Sequence, residues 1–149
     1  MRPGELVLDL GAGGGALTAP LLDAGARVLA VELHPARAER LRRRLPDRLV
    51  TVVETGLATV HWPVRPFRVM ASPPYTGTTE LLRRLLRARR LVAADLVLQR
   101  SAARRPVDQR VGGNRWVLSL GMPVPRRASR PPPRIDSVVL RARRPGDRT

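Results

Sequence analysis

Val7-Leu8-Asp9-Leu10-Gly11-Ala12-Gly13-Gly14-Gly15-Ala16-Leu17 decides how this chain is read. An apolar run ending at Leu10 breaks into four glycines within five positions. It resumes as Ala16-Leu17-Thr18-Ala19-Pro20-Leu21-Leu22, with apolar residues at helical spacing. That order predicts strand, tight turn and helix. Glycine reaches backbone conformations closed to other residues and lets a ligand lie against bare backbone, and the helix N-terminus offers unpaired N–H groups. A nucleotide-like cofactor suits such a place. The glycines alone leave its identity open. Gly11-x-Gly13-x-Gly15 fits a turn that binds S-adenosylmethionine, and Gly11-x-Gly13-x-x-Ala16 fits the dinucleotide fingerprint.

Glu32 strengthens the cofactor reading. It ends the next apolar run, Val28-Leu29-Ala30-Val31, where a carboxylate can accept hydrogen bonds from two ribose hydroxyls. A second motif, Ser72-Pro73-Pro74-Tyr75, follows the apolar run at residues 67–71. It stands at the carboxyl end of a strand, on the sheet edge where open α/β folds put their chemistry. Two prolines give a stiff, extended backbone whose carbonyls stay out of a helix. A planar amino group could donate to such a carbonyl and to the Ser72 hydroxyl. Tyr75, the single tyrosine of the chain, could stack on a base.

Composition bounds the partners. The 149 residues suffice for one domain with a real core. Net charge is +16, and all 28 basic residues are arginine. Such charge favours a polyanion, and guanidinium forks suit phosphate. No run is long enough to span a membrane, so a membrane partner is not expected. Without cysteine there is no thiolate metal site, and His34 and His61 lack ligand spacing, so no metal is expected. Glu5 and Asp9 interrupt any signal peptide, which makes the cytoplasm the default.

Along the chain, strands are expected at residues 27–33, 49–53, 67–71 and 94–98, with helices to about Asp23, over 35–45 and over 80–89, the last capped by Thr78 or Thr79. Strand alternating with helix predicts an α/β, Rossmann-like fold, a mostly parallel seven-stranded sheet with helices on both faces. Residues 100–115 read as a polar, arginine-rich loop, and 116–122 and 135–143 as the last two strands. The domain is expected over 1–144, with a disordered tail at 145–149.

These motifs resemble the S-adenosylmethionine-dependent adenine-N6 methyltransferases of ribosomal RNA, both the macrolide-resistance enzymes acting on 23S rRNA and the dimethyladenosine transferases acting on 16S rRNA. The likeness runs from Asp9-Leu10-Gly11-Ala12-Gly13 through Val31-Glu32-Leu33, Pro73-Pro74-Tyr75 and Leu98-Gln99-Arg100 to Arg130-Pro131-Pro132-Pro133-Arg134-Ile135-Asp136-Ser137. The last block resembles the 23S branch of high-GC bacteria more than the 16S branch. The resemblance implies that Gly11, Ala12, Gly13 and Gly15 hold the methionine part of the cofactor. Glu32 and Leu33 would take its ribose, and Glu54 or Gly56 would stand by its adenine. Ser72, a cofactor neighbour too, and the carbonyl of Pro73 would accept the substrate amino group, with Pro74 stiffening the turn and Tyr75 stacking on the target base. Arg100, Arg104, Arg105, Arg126, Arg127, Arg130 and Arg134 would bind RNA, and the protein is expected to act as a monomer. Four departures from the family stand out: Ser72 where asparagine is usual, Gly56 at the position of an acid, Ser129 in place of phenylalanine, and short ends. The family's N-terminal Gln-Asn segment and C-terminal helical RNA-binding domain are expected to be absent. Ser-Pro-Pro-aromatic also resembles the DNA cytosine-N4 methyltransferases. A non-catalytic RNA-binding member of the family is the third reading.

Overall fold

The computed structural model describes residues 1–45, 50–73, 76–126 and 135–147. Strand β1 (Leu6–Leu10) is buried from Val7 onward, so both of its faces are covered. Strands β2 (Arg27–Val31), β3 (Val50–Val53) and β4 (Phe67–Ala71) run parallel to it. Val7 lies opposite Val28 and Asp9 opposite Ala30, so this face is apolar apart from Asp9. Helices α1 (Thr18–Asp23) and α2 (Pro35–Arg44) follow β1 and β2. Their Leu21 and Leu41 join Val7, Val28 and Ala30 in one buried cluster.

Local chemistry sets the helix ends. Gly25, at φ 82°, donates to the Leu22 carbonyl at 2.9 Å, and Ala26 donates to Leu21 at 3.0 Å. These paired bonds and a left-handed glycine stop α1. Pro35 opens α2 at a position where its missing N–H costs nothing. Pro46, next after the helix expected over 35–45, lies outside the described residues.

Met1–Ser72 forms one compact unit and Pro73–Thr149 a second. The second contains α3 (Thr78–Arg87), β5 (Leu91–Gln99), α4 (Arg100–Asp108), β6 (Val117–Val124) and β7 (Ser137–Arg143). Leu81, Leu82, Leu85 and Leu86 of α3 are buried, the stripe its spacing predicts. Strand β7 pairs antiparallel with both β5 and β6. Trp116 anchors this unit. Its indole N–H donates to the Leu86 carbonyl at 2.9 Å, and the Arg144 guanidinium lies 3.9 Å from its ring. The strand order is β3-β2-β1-β4-β5-β7-β6, the seven-stranded, mostly parallel sheet expected from the sequence.

Several local expectations need correction. Residues 100–108 are helix, and 113–115 a short 3-10 turn, where a polar loop was expected. The arginines face solvent while Ala103 and Pro106 are buried, so a narrow apolar stripe carries the helix inside a polar composition. Gly77, at φ 77°, precedes α3 in the cap position, and no threonine side chain caps the helix. Thr78 is instead buried with its hydroxyl unpartnered. Strand β5 begins at Leu91 rather than Ala94, and β2 ends at Val31, leaving Glu32 and Leu33 beyond it.

Candidate active site

Gly11, Gly13 and Gly15 have φ of 76°, 56° and 90°, three left-handed residues within five. Any side chain there is strained, which is why this turn needs glycine. The turn is sewn to the neighbouring strand. The N–H groups of Gly11 and Ala12 both donate to the Val31 carbonyl, at 2.9 and 3.0 Å, and Gly15 donates back to Ala12 at 3.0 Å. The turn is open where side chains would stand: a Cβ on Gly14 would meet nothing within 4 Å, and one on Gly13 only the Gly11 carbonyl at 3.9 Å, while Arg44 Nη1 donates to the Gly14 carbonyl at 3.2 Å.

Glu32 is 6% exposed, yet it is fully engaged. Its Oε2 accepts the Gly13 N–H at 2.8 Å, its Oε1 accepts the His34 N–H at 3.2 Å, and Arg37 stands 3.7 Å from Oε1. The Glu32 N–H donates to Val53 at 3.0 Å, tying the end of β2 to β3. The carboxylate is therefore held in one orientation beside the glycine turn. Leu33, next along, is 69% exposed. Its Cδ1 would lie 3.8 Å from a Cβ built on Gly56. Ser72 is exposed at the end of β4, its N–H donating to Leu10 at 3.3 Å. Gly11, Ala12, Gly13, Gly15, Glu32, Leu33, Gly56 and Ser72 thus share the carboxyl edge of β1–β4.

The other expected residues divide. Glu54 sits at that edge but its Oε1 receives Arg42 Nη1 at 2.8 Å, so it is tied to α2. Pro73 is buried, and Pro74 and Tyr75 lie outside the described residues. Arg100, Arg104 and Arg105 are exposed on α4, with Arg104 3.8 Å from Asp108. Arg126 donates to Asp136 at 2.9 Å. Arg127, Arg130 and Arg134 lie outside the described residues. No group of three or more metal-ligating side chains occurs among the described residues, and no helix there is long and apolar enough to cross a membrane.

One functional candidate escaped the sequence reading. Asp9 is fully buried beneath the glycine turn. Its Oδ2 accepts the Thr18 hydroxyl at 2.5 Å, while Oδ1 has no partner. Burial pushes its carboxyl up to about 6, the Thr18 bond pulling the other way and the Glu32 charge adding to the rise. An acid inside an apolar strand, two positions before the first glycine, was the available signal.

Comparison with known proteins places the chain in a family. The profile of the family described as "Ribosomal RNA adenine dimethylase" matches residues 1–147. An rRNA adenine N-6-methyltransferase of Corynebacterium diphtheriae is 33% identical over 95% of this chain and 58% of its own length. A ribosomal RNA small subunit methyltransferase A of Thermosynechococcus vestitus is 34% identical over 94% of the chain and 59% of its own. The crystal structure of the 23S rRNA methyltransferase ErmE is 29% identical and superposes with a TM-score of 0.89, covering 99% of this chain and 64% of that one. The chain thus spans less than two thirds of the length of these relatives. With the family profile matched over nearly its whole length, the chain belongs to the ribosomal RNA adenine dimethylase family.

Proposed function

We propose that this chain transfers a methyl group from S-adenosylmethionine to the N6 amino group of an adenine in ribosomal RNA. The observation that carries the reading is the Glu32 carboxylate, fixed on the Gly13 N–H at 2.8 Å, on the same strand edge as Ser72.

The residues fit the cofactor. The glycine turn presents bare backbone with open space outside Gly13 and Gly14, and an acid stands beside it with both oxygens already oriented. Gly11, Ala12, Gly13 and Gly15 would hold the methionine part, and Glu32 with Leu33 the ribose. Gly56 would border the adenine, Glu54 being tied to Arg42 instead. When bound, S-adenosylmethionine supplies an electrophilic methyl on a sulfonium. The chain's own work is alignment: the Ser72 hydroxyl and Pro73 carbonyl accept the amino hydrogens and turn the nitrogen lone pair toward that methyl. Tyr75 stacks on the base turned out of its RNA, with Pro74 stiffening the approach. Neither a metal nor a covalent intermediate is required.

The partner is ribosomal RNA, gripped by Arg100, Arg104, Arg105, Arg126, Arg127, Arg130 and Arg134 through its phosphates. 23S rRNA is favoured over 16S because the Arg130–Ile135 block resembles the 23S branch and because the 23S rRNA methyltransferase ErmE overlays 99% of the chain. The setting is the cytoplasm, where that RNA resides, and the working form is a monomer. The test is transfer of labelled methyl to 23S fragments, 16S fragments and DNA, with RNA binding followed across salt. Adenine labelling of RNA, and affinity falling by orders of magnitude toward physiological salt, are expected. Labelling of DNA cytosine, or steeply salt-dependent RNA binding with no transfer, would overturn the reading.

A further inference from the structure

Asp9 is a poor choice for a purely structural residue. It is wholly buried, and among the described residues its charge has no cation against it and Oδ1 has no hydrogen-bond partner. A buried charge without compensation costs folding stability. An uncharged side chain of the same shape would hold Thr18 as well. A carboxylate at this place therefore calls for a use of its charge.

The charge that acts on Asp9 is anionic. From β2, Glu32 faces Asp9 closely enough for its charge to act on the Asp9 carboxyl. Helix α1 contributes Thr18 and carries no ionisable group before Asp23, its last residue. Helix α2 packs into this region through Leu41 and buried Ala38, while its exposed Arg37 lies on Glu32 and its Arg44 Nη1 donates to the Gly14 carbonyl at 3.2 Å, neither reaching the Asp9 carboxyl. From β4, Met70 lies opposite Asp9, and Arg68 is tied to Glu5 at 3.1 Å. Two carboxylates thus stand at the ends of β1 and β2 around the glycine turn, and the deeper one has no counter-charge among the described residues.

We infer that Asp9 sets the charge preference of the cofactor site, favouring the cationic methyl donor over its neutral product. This rests on the proposed cofactor. S-adenosylmethionine carries one positive charge more than S-adenosylhomocysteine, because loss of the methyl turns a sulfonium into a thioether. A charge buried in a low-dielectric site acts over several ångströms without touching its ligand. Asp9 acts in this way as a positioning charge under the turn, strengthening the hold on the donor and easing release of the product. Its carboxyl, pushed up to about 6 by burial, makes the preference fade in acid.

The experiment compares dissociation constants of S-adenosylmethionine and S-adenosylhomocysteine by calorimetry from pH 5 to 8, in two buffers of different ionisation enthalpy. In the wild type, the ratio favouring the donor should grow at least about fivefold as Asp9 ionises. Donor binding near pH 6 should also release protons, and product binding should release fewer. Asp9→Asn should flatten the ratio with pH and abolish the difference in proton release. Thr18→Val, which removes the bond holding the Asp9 carboxyl down, should move the midpoint of the ratio to higher pH. This variant keeps the test alive should Asp9→Asn fail to fold. A ratio that does not change with pH in the wild type, or that responds alike in wild type and Asp9→Asn, overturns this inference while leaving the cofactor assignment intact. Failure of the wild type to bind either compound overturns the cofactor assignment and takes this inference with it.

Discussion

Gly13 and Glu32, 19 positions apart, are joined by one hydrogen bond of 2.8 Å from the backbone N–H of the glycine to Oε2 of the acid. A second donor, the His34 N–H, holds Oε1 at 3.2 Å. The acid that would meet a ribose is therefore oriented before any ligand arrives, and preorganisation of this kind lowers the ordering cost of binding.

Glu32→Ala removes the acceptor from both N–H groups and from any ribose hydroxyls. S-adenosylmethionine affinity should fall by roughly 1–3 kcal/mol, the usual cost of leaving hydrogen-bonding groups unpaired. Isothermal calorimetry measures it. An unchanged affinity would move the ribose away from Glu32.

Stability should depend on pH through Asp9. Its folded carboxyl titrates near 6, above the ordinary aspartate value of 3.8, so the folded state holds a proton that the unfolded state has already lost between those values. This favourable contribution is complete below the unfolded value and disappears as pH rises through about 6. Asp9→Asn should consequently gain stability over the wild type at pH 7–8, by about 2–3 kcal/mol, and lose that advantage near pH 4. Urea unfolding of both proteins at the two pH values checks the sign. A wild type that gains stability from pH 4 to 7 relative to Asp9→Asn would contradict the burial argument.

How legible was this in the sequence? Strand β4 was legible to the residue, because Phe67–Ala71 is a short apolar run bounded by Pro66 and Ser72. The edge carrying Gly11, Glu32 and Ser72 was legible for the same reason: parallel strands end where their apolar runs end. Helix α4 was not, since its stripe rests on an alanine and a proline among arginines, and composition drowned the period. Glu54 shows a further limit. Proximity along the chain placed it near an adenine, but only the fold reveals Arg42 from α2 already on its carboxylate. Asp9 was visible as a letter, yet its lack of a counter-charge among the described residues is a property of packing.

Gly112 and Gly113 looked alike as parts of a loop, and the structure separates them. Both have positive φ, 101° and 55°. A Cβ on Gly113 would meet nothing within 4 Å, whereas one on Gly112 would lie 3.0 Å from Trp116 Cβ and 3.1 Å from Leu86 Cδ1. Gly113→Ala should cost about 1–2 kcal/mol of backbone strain. Gly112→Ala should cost more, by disturbing the Trp116–Leu86 anchor as well. Thermal melts of the two variants give the order, and equal losses would mean the anchor yields freely.

Position 72 carries the sharpest consequence of the proposed function. Ser72 is exposed at the end of β4 with its N–H fixed on Leu10, so its side chain stands at the surface of that strand edge. The resembled family usually places asparagine here, whose longer side chain presents a carbonyl oxygen. A serine offers one hydroxyl, closer to the backbone, and leaves the Pro73 carbonyl as the main acceptor for the amino group. One well-placed polar contact in a preorganised site is commonly worth on the order of 10²–10³ in rate. Ser72→Asn should therefore accelerate methyl transfer to an adenine in an rRNA fragment by about tenfold or more, with S-adenosylmethionine binding unchanged. The assay is single-turnover transfer at matched cofactor saturation, which isolates chemistry from binding. A variant no faster than the wild type, with binding intact, would show that the serine does not limit the reaction. A wild type that methylates cytosine N4, and loses this on substitution, would mean that Ser72-Pro73-Pro74-Tyr75 is tuned to a different amino group.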